Sequence, residues 1–545
     1  MAIKPIVPKE VPYPDELSRL DYKPSQKAWM ETPVEFKPNM YCYGNKPDDL
    51  KTVGFPNPRK WSVKDEDWKL PENWKEIILE GMRERLDKYR SFRLFMDICV
   101  RCGACADKCH FFIGGGDPKN MPVIRAELLR SIYRKYFTGS GKAFGKLAGA
   151  RELTIGVLKE LWYYAYQCTE CRRCSLFCPY GIDTAEITII ARELLNLLGL
   201  NIHWLSASVA KCYRTGNHLG ILPHTFREYF DMYINDLEAV TGIRVAPTHN
   251  RKGAEILYVV PSGDYFDERG TYLTMGTMLL FHELGLDYTW STYASDGGNF
   301  GFFTSNEMAK RLNSKIYAEA KRLGVKWILG GECGHMWRVI HQYMNTWNGP
   351  PDFLEEPVSP ITGTKFENTK SNKIVHICEF TADLIKNNKL KLDPSRNDHL
   401  KVTFHDSCNT ARGMGFFEEP RYIIKNVCNN FHEMPANTIR EQTFCCGSGS
   451  GLNASEDMEL RMRGGFPRAN AVKYVHEKHG VNMLACICAI DRAVLPPLMD
   501  YWVPGVTVTG VHEMVANALV CKGEKKRTTD LRGEPLPGKE GGENV

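Results

Sequence analysis

Two runs of four cysteines hold the most legible chemistry in this 545-residue chain. They read Cys99-x2-Cys102-x2-Cys105-x3-Cys109, followed by His110, and Cys168-x2-Cys171-x2-Cys174-x3-Cys178, followed by Pro179. Three thiolates on one tight loop suit three irons of a cubane [4Fe-4S] cluster. In chains with two such clusters the fourth thiol is carried away to ligate the neighbour. This spacing assigns Cys99, Cys102, Cys105 and Cys178 to one cubane, and Cys168, Cys171, Cys174 and Cys109 to the other. Structural zinc is the alternative, but zinc sites usually join separated CxxC pairs rather than four thiols in so short a run. His110 stands where the second run has proline.

A third thiol group lies far along the chain: Cys408, the adjacent pair Cys445-Cys446 before Gly447, and Cys486-Ile487-Cys488. Neighbouring side chains diverge, so an adjacent pair suits an opened, non-cubane [4Fe-4S] cluster whose thiolates link separate irons. Soft thiolates arriving from three loops at the carboxyl ends of parallel strands fall where α/β folds place their ligands. His405, just before Cys408, and His335, just after Cys333, are candidate proton donors to departing thiolates. Cys333 is a candidate ligating or substrate-handling thiol. No GxGxxG motif is evident, so no flavin or nucleotide cofactor is expected.

The elements that position these residues give an α+β multidomain chain. Residues 1–70 are rich in proline with interspersed aromatics, which forbids helices and predicts an extended arm lying on its own domains or on a partner. Residues 71–250 form a helical domain for the two cubanes. In it Trp74, Ile78, Met82, Leu86 and Tyr89 recur at helical spacing. Asp183 and Glu186 give a capping-box start to a helix that Gly199 ends. From 251 the pattern becomes strands alternating with helices, in two similar halves: 251–345 and 373–521, joined by a Pro-containing linker at 346–372. Where the second half has Cys408, Cys445-Cys446 and Cys486-x-Cys488, the first reads Pro261-Ser262-Gly263, Asp296-Gly297-Gly298 and Glu332-Cys333-Gly334. It has lost its metal site. Residues 522–545 read as a flexible tail, whose Lys525-Lys526-Arg527 is a solvated charge run rather than a lipid contact.

Composition bounds the rest. A formal net charge of +5 is too small to argue for nucleic acid. Nineteen cysteines in a chain with no apolar N-terminal signal core point to a reducing, cytoplasmic compartment with thiols reserved for metal. No apolar run is long enough to span a bilayer, so membrane attachment would come through partners, on the inner face.

Cys408 … Cys445-Cys446-Gly447 … Cys486-x-Cys488 resembles the CCG domain of heterodisulfide reductases. His405-Asp406-Ser407-Cys408 is similar to that family's His-Asp-Pro-Cys segment, and Arg412 to its downstream arginine. The ferredoxin-like module followed by two CCG repeats resembles the D-type component of membrane heterodisulfide reductase. The N-terminal arm, CVRCGACADKCH and the depleted first repeat resemble more closely the DsrK-type components of DsrMKJOP membrane complexes. The family usually ends its motif with CxxC, where this chain has Cys486-x-Cys488. The resemblance implies reduction of a sulfur–sulfur bond at the non-cubane site, in dissimilatory sulfur metabolism. The implied substrate is a disulfide or trisulfide on a DsrC-like protein. The implied partners are a quinol-oxidising, DsrM-like cytochrome b-type membrane subunit and the other Dsr subunits. Such a cleavage takes two electrons, and the two cubanes supply them singly. Three alternatives remain: a heterodisulfide reductase D-type enzyme acting on a small-molecule disulfide, an electron-relay subunit of a quinone-linked dehydrogenase, and a scaffold with buried thiols.

Overall fold

The computed structural model describes residues 70–200, 208–209, 211–213, 215–266, 268–295, 299–302, 305–367, 372–450 and 458–538. The N-terminal arm expected over residues 1–70 lies outside the described residues except Leu70, as do Asp296–Gly298 and the last seven residues.

The cysteine runs sit on a helical scaffold. Helix Trp74–Lys88 buries Trp74, Ile78, Met82 and Leu86 against helix Thr184–Leu197, in a core shared with Leu129, Ile132, Trp162 and Ile190. The Asp183 carboxylate accepts the Ala185 N–H, which starts helix Thr184–Leu197. Glu186 instead accepts from the Ser91 hydroxyl, so the capping-box reading holds only for Asp183. Gly199, at φ +72°, closes that helix with its N–H on the Asn196 carbonyl. The helices Pro122–Phe137 and Ile155–Ala165 fill the insert between the two runs. Buried Glu193 joins this domain to the next, accepting Arg85 Nε at 2.7 Å and the Asn306 N–H at 2.6 Å.

The first α/β repeat is a four-stranded parallel sheet of β1 (Ile256–Val259), β2 (Tyr288–Trp290), β3 (Trp327–Gly330) and β4 (Ile374–His376), ordered β2-β1-β3-β4. In the second, β5 (Val402–His405), β6 (Met483–Cys486) and β7 (Thr507–Gly510) pair in parallel in the order β5-β6-β7. A parallel bridge from Val402 to Phe431 supplies the outer position next to β5, so the two repeats share one topology. Helices cover both faces, which is why these strands are almost wholly buried and read as continuous apolar runs.

Two boundaries move. β4 lies beyond residue 373 yet pairs with β3, so a strand allotted to the second repeat completes the first sheet. The tail is docked over much of its length. The Arg527 guanidinium donates to the Ala516 carbonyl at 2.8 Å and to Asn517 Oδ1 at 3.1 Å, Leu531 and Leu536 are buried, and Arg532 pairs with Glu513. The charge run at Lys525-Lys526-Arg527 therefore ends in a buried, satisfied arginine.

The two repeats meet through a buried polar network. Arg492 pairs with Asp264 and, at 3.0 Å, with Glu332. Glu332 accepts His512 Nδ1 at 2.6 Å, and His512 Nε2 lies 2.7 Å from Thr381 Oγ1. Glu332, Cys378 and His512 converge closely. Both histidine nitrogens and the carboxylate are already engaged, so the group is a hydrogen-bonded tie rather than a metal site.

Candidate iron–sulfur site

Both cysteine runs bend the same way. Arg101 and Gly103 flank Cys102, Glu170 and Arg172 flank Cys171, and all four have φ between +54° and +78°. Left-handed residues on each side of the central cysteine curl the backbone so that its thiols point to one centre. Non-glycine residues held there cost of order 1 kcal/mol each. In the second run buried Glu170 is held by Arg192 at 3.0 Å and Arg338 at 3.2 Å.

The curled loops enclose two cavities. Cys99, Cys102, Cys105 and Cys178 all line the first, with Pro179 and Tyr180 on its rim. Cys109, Cys168, Cys171 and Cys174 all line the second, with His110 and Arg125. The first cavity thus draws three thiols from the first run and both Cys174 and Cys178 from the second, and the second cavity draws three from the second run and Cys109 from the first; Cys174 lines both, and the crossed ligand sets can be accommodated. Cys102 is exposed, so the first cavity opens to solvent, whereas Cys109, Cys168 and Cys171 are buried. Burial alone would push the Cys109 thiol up, but the Arg125 charge and His110 reverse this and hold it below the usual range. Four inward thiols around one small cavity fit a [4Fe-4S] cubane in each place.

The third thiol group splits in two. Cys445 is hydrogen-bonded by Cys171, Cys408 and Cys446, which hold its pKa well below the ordinary thiol value. Cys486 shares their buried cluster from the end of β6, its Sγ 3.6 Å from the Thr509 carbonyl. Cys488 faces the first repeat. Burial would raise its pKa, but hydrogen bonds from Cys333 and His335 outweigh that and hold it low. Cys333 and Cys488 occupy equivalent places, each the N-cap of the helix that follows its sheet's central loop: Gly334–Asn348 and Ala489–Trp502. From the end of β3 to Cys333 is three residues, and from the end of β6 to Cys488 is two. The CxC spacing is therefore a loop shortened by one residue that still delivers its thiol to the helix start.

Two glycines let the walls close. Gly447 has φ +90°, and a Cβ there would run into the backbone nitrogen of Gly465, so only glycine can follow the cysteine pair. A Cβ on Gly334 would collide with Ser407 Oγ and come 3.3 Å from Cys488 Sγ.

The histidines divide by role. His335, named for its place two residues after Cys333, lies against Cys488 of the other repeat. His405 is instead buried with Nε2 3.3 Å from Asp491 Oδ2. Asp491, which sequence reasoning missed, hydrogen-bonds Cys446, and its carboxyl is pushed up by burial and by Cys488. His110 packs the two domains together: Nδ1 lies 2.8 Å from the Gly464 carbonyl in helix Met458–His479, and Nε2 2.8 Å from Thr169 Oγ1. Arg412 donates to the carbonyls of Cys171, Glu441 and Thr443, locking the second cysteine run against the Cys445 loop. In the first repeat, Ser262 Oγ, after β1 where Cys408 follows β5, bonds His218 Nδ1 at 2.8 Å. The Asp264–Arg492–Glu332 pairs lie close by, and charged side chains sit where thiols would be needed.

Fold and site together define an iron–sulfur oxidoreductase subunit with a cysteine-rich C-terminal module. Residues 95–182 match the 4Fe-4S dicluster domain family, and residues 402–489 match the cysteine-rich domain family known as CCG. The chain is 53% identical to the Hdr-like menaquinol oxidoreductase iron-sulfur subunit 2 of Archaeoglobus fulgidus, over 96% of this chain and 99% of that protein. It is 51% identical to the Hdr-like menaquinol oxidoreductase iron-sulfur subunit of Archaeoglobus profundus, with the same coverage. A more distant relative is the D-type component of the dihydromethanophenazine:CoB–CoM heterodisulfide reductase of Methanosarcina acetivorans, at 27% identity over 66% of this chain and 79% of that one. The chain belongs to the family of Hdr-like iron–sulfur subunits, and the resemblance to D-type and DsrK-type proteins falls within it. Among the described residues no helix is long and apolar enough to cross a membrane.

Proposed function

We propose that this chain carries electrons from a membrane quinol-oxidising partner to a sulfur–sulfur bond, which it reduces at the Cys408–Cys445–Cys446–Cys486–Cys488 site. The names of the two Archaeoglobus relatives support the quinol end, and that of the Methanosarcina relative supports the disulfide end. The observation that carries the reading is that Cys171 of the second cavity shares one buried cluster with Cys408, Cys445, Cys446 and Cys486, which sets that cavity directly beside the CCG site. Clusters held by these thiols, two cubanes and one non-cubane, would supply electrons one at a time, and the cleavage R–S–S–R′ + 2 e⁻ + 2 H⁺ → R–SH + R′–SH takes two. The chain's own groups do the rest. Arg412 and His110 fix the two domains in contact, so the handover distance does not vary. His335 against Cys488 and Asp491 against Cys446 stand where protons are needed as thiolates form. The substrate we propose is a disulfide or trisulfide on a DsrC-like protein, with a DsrM-like cytochrome b subunit as donor and the chain held by its partners at the inner face of the membrane.

The test is to reduce the anaerobically purified chain, add the oxidised substrate protein, and record the paramagnetic signal of the C-terminal site. The reading expects that signal to change with substrate while the cubane signals reoxidise. A C-terminal signal indifferent to substrate, with turnover supplied by another subunit, favours the relay role instead.

A further inference from the structure

Between Glu127 and Glu152 the chain has no carboxylate, yet it carries Arg130, Arg134, Lys135, Lys142, Lys146 and Arg151. The arginines are used internally. Arg130 donates to the Phe95 carbonyl, Arg134 pairs with Glu127, and Arg151 with Glu160. Lys142 and Lys146 are exposed on a small knob made of a six-residue helix, Gly139–Phe144, and the turn Gly145–Ala148. Interleaved with them are Phe144, 64% exposed, and Leu147, 93% exposed. A large apolar side chain with almost no neighbours stands at a convex tip, not in a groove. A protein partner would need a matching pocket for that tip, whereas a lipid surface yields to it. Aromatic and aliphatic tips flanked by lysines suit the lipid–water boundary. The apolar groups enter the acyl edge, and the ammonium groups, on flexible stems, meet anionic phosphates.

The knob also lies beside the solvent-open cavity. A Cβ on Gly149, which closes the knob, would come 3.0 Å from Arg101 Nη2, and Arg101 is the neighbour of exposed Cys102. We propose that residues 139–148 form a membrane-contact element selective for anionic lipid, which holds the mouth of the Cys99–Cys105 cavity at the headgroup layer. A donor that works in the lipid phase is then met by the cysteine loop that carries solvent-exposed Cys102. This lipid contact belongs to the chain itself and is separate from attachment through partner subunits.

Flotation of the full, cluster-loaded chain tests it without any turnover. The probes are vesicles of phosphatidylcholine alone and of phosphatidylcholine with phosphatidylglycerol. The wild type should float with the anionic vesicles and not with the neutral ones. K142E/K146E and F144S/L147S should each weaken that binding tenfold or more while keeping the iron–sulfur absorption. A photocrosslinker at Leu147 should label lipid. Three results would overturn the proposal: a wild type that ignores both vesicles or binds them alike, variants that float as well as the wild type, or a Leu147 crosslink to residues 1–69 or to another protein. Loss of sulfur reduction with vesicle binding intact would count against the proposed function and leave this one standing.

Discussion

Replacing Arg125 by glutamine should lower the reduction potential of the cluster we propose at Cys109, Cys168, Cys171 and Cys174. The Arg125 guanidinium is buried, bonds Asn120 Oδ1 at 2.6 Å, and has Nη2 3.8 Å from Cys109 Sγ. Reduction adds negative charge beside this fixed positive one. Two unit charges 4 Å apart interact by about 4 kcal/mol at an effective dielectric near 20. An electron spread over a whole cluster feels roughly half of that, about 2 kcal/mol by the same law. For a one-electron couple 59 mV corresponds to tenfold, so the shift is about 90 mV downward. The assay is a potentiometric titration of the full chain followed by electron paramagnetic resonance, with Cys168→Ala used to identify the signal of the second cavity. R125Q should shift that signal alone, while R125K should stay close to the wild type because the charge remains. An intact second cluster whose potential is the same in R125Q and wild type would refute the electrostatic argument.

Four further outcomes follow from the same geometry. Cys446→Ala should abolish sulfur reduction and the C-terminal signal but leave both cubane signals, and Cys102→Ala should leave the C-terminal site assembled yet starved of electrons; full turnover of Cys446→Ala would show the site misplaced. Glu170→Gln leaves Arg192 and Arg338 buried without their shared carboxylate, so it should cost about 3 kcal/mol by the usual penalty for breaking a buried pair, read as a lower melting temperature and loss of the second cubane; an unchanged melt would contradict it. His249 packs edge-on to Phe226 and Phe230, and burial pushes its pKa down to about 4. The unfolded chain therefore binds the extra proton first, so stability is full above about pH 6.5, the unfolded value, and falls as pH drops toward 4, by about 3 kcal/mol. In His249→Gln the difference in denaturant midpoint between pH 7 and pH 4.5 should shrink, and an equal difference in both proteins would rule the histidine out.

What was legible in the sequence was local. The 4Fe-4S dicluster module follows from cysteine spacing within eleven residues, and the Asp183 cap and the apolar runs of β1, β3, β5 and β6 from adjacent residue types. What was not legible depends on chain segments meeting. The contact of Cys171 with Cys445 joins residues 274 positions apart, and nothing in either motif announces the other. Asp491 is an acidic residue in the first turn of helix Ala489–Trp502, a place that carries no signal of its own, and only packing sets it between His405 and Cys446. Arg527 read as part of a solvated charge run because composition cannot tell a surface cation from one that finds two buried acceptors. His110 is the intermediate case: its departure from proline was visible, while its bonds to Gly464 and Thr169 required the docked helix.

The retention of a first repeat without its thiols has a physical explanation in this arrangement. A CCG site is open on the side of Cys488, and the first repeat closes it. Cys333 and Cys488 face each other from equivalent helix starts, and Gly334 lets the two loops touch. With Ser262, Asp264 and Glu332 near the vanished ligand positions, Arg492 crosses from the second repeat and satisfies both carboxylates. Removing the first repeat would therefore expose a thiol and strand a buried guanidinium, so it works as a wall. Where the second repeat carries thiols, the first carries the carboxylates of an inter-repeat ion-pair network.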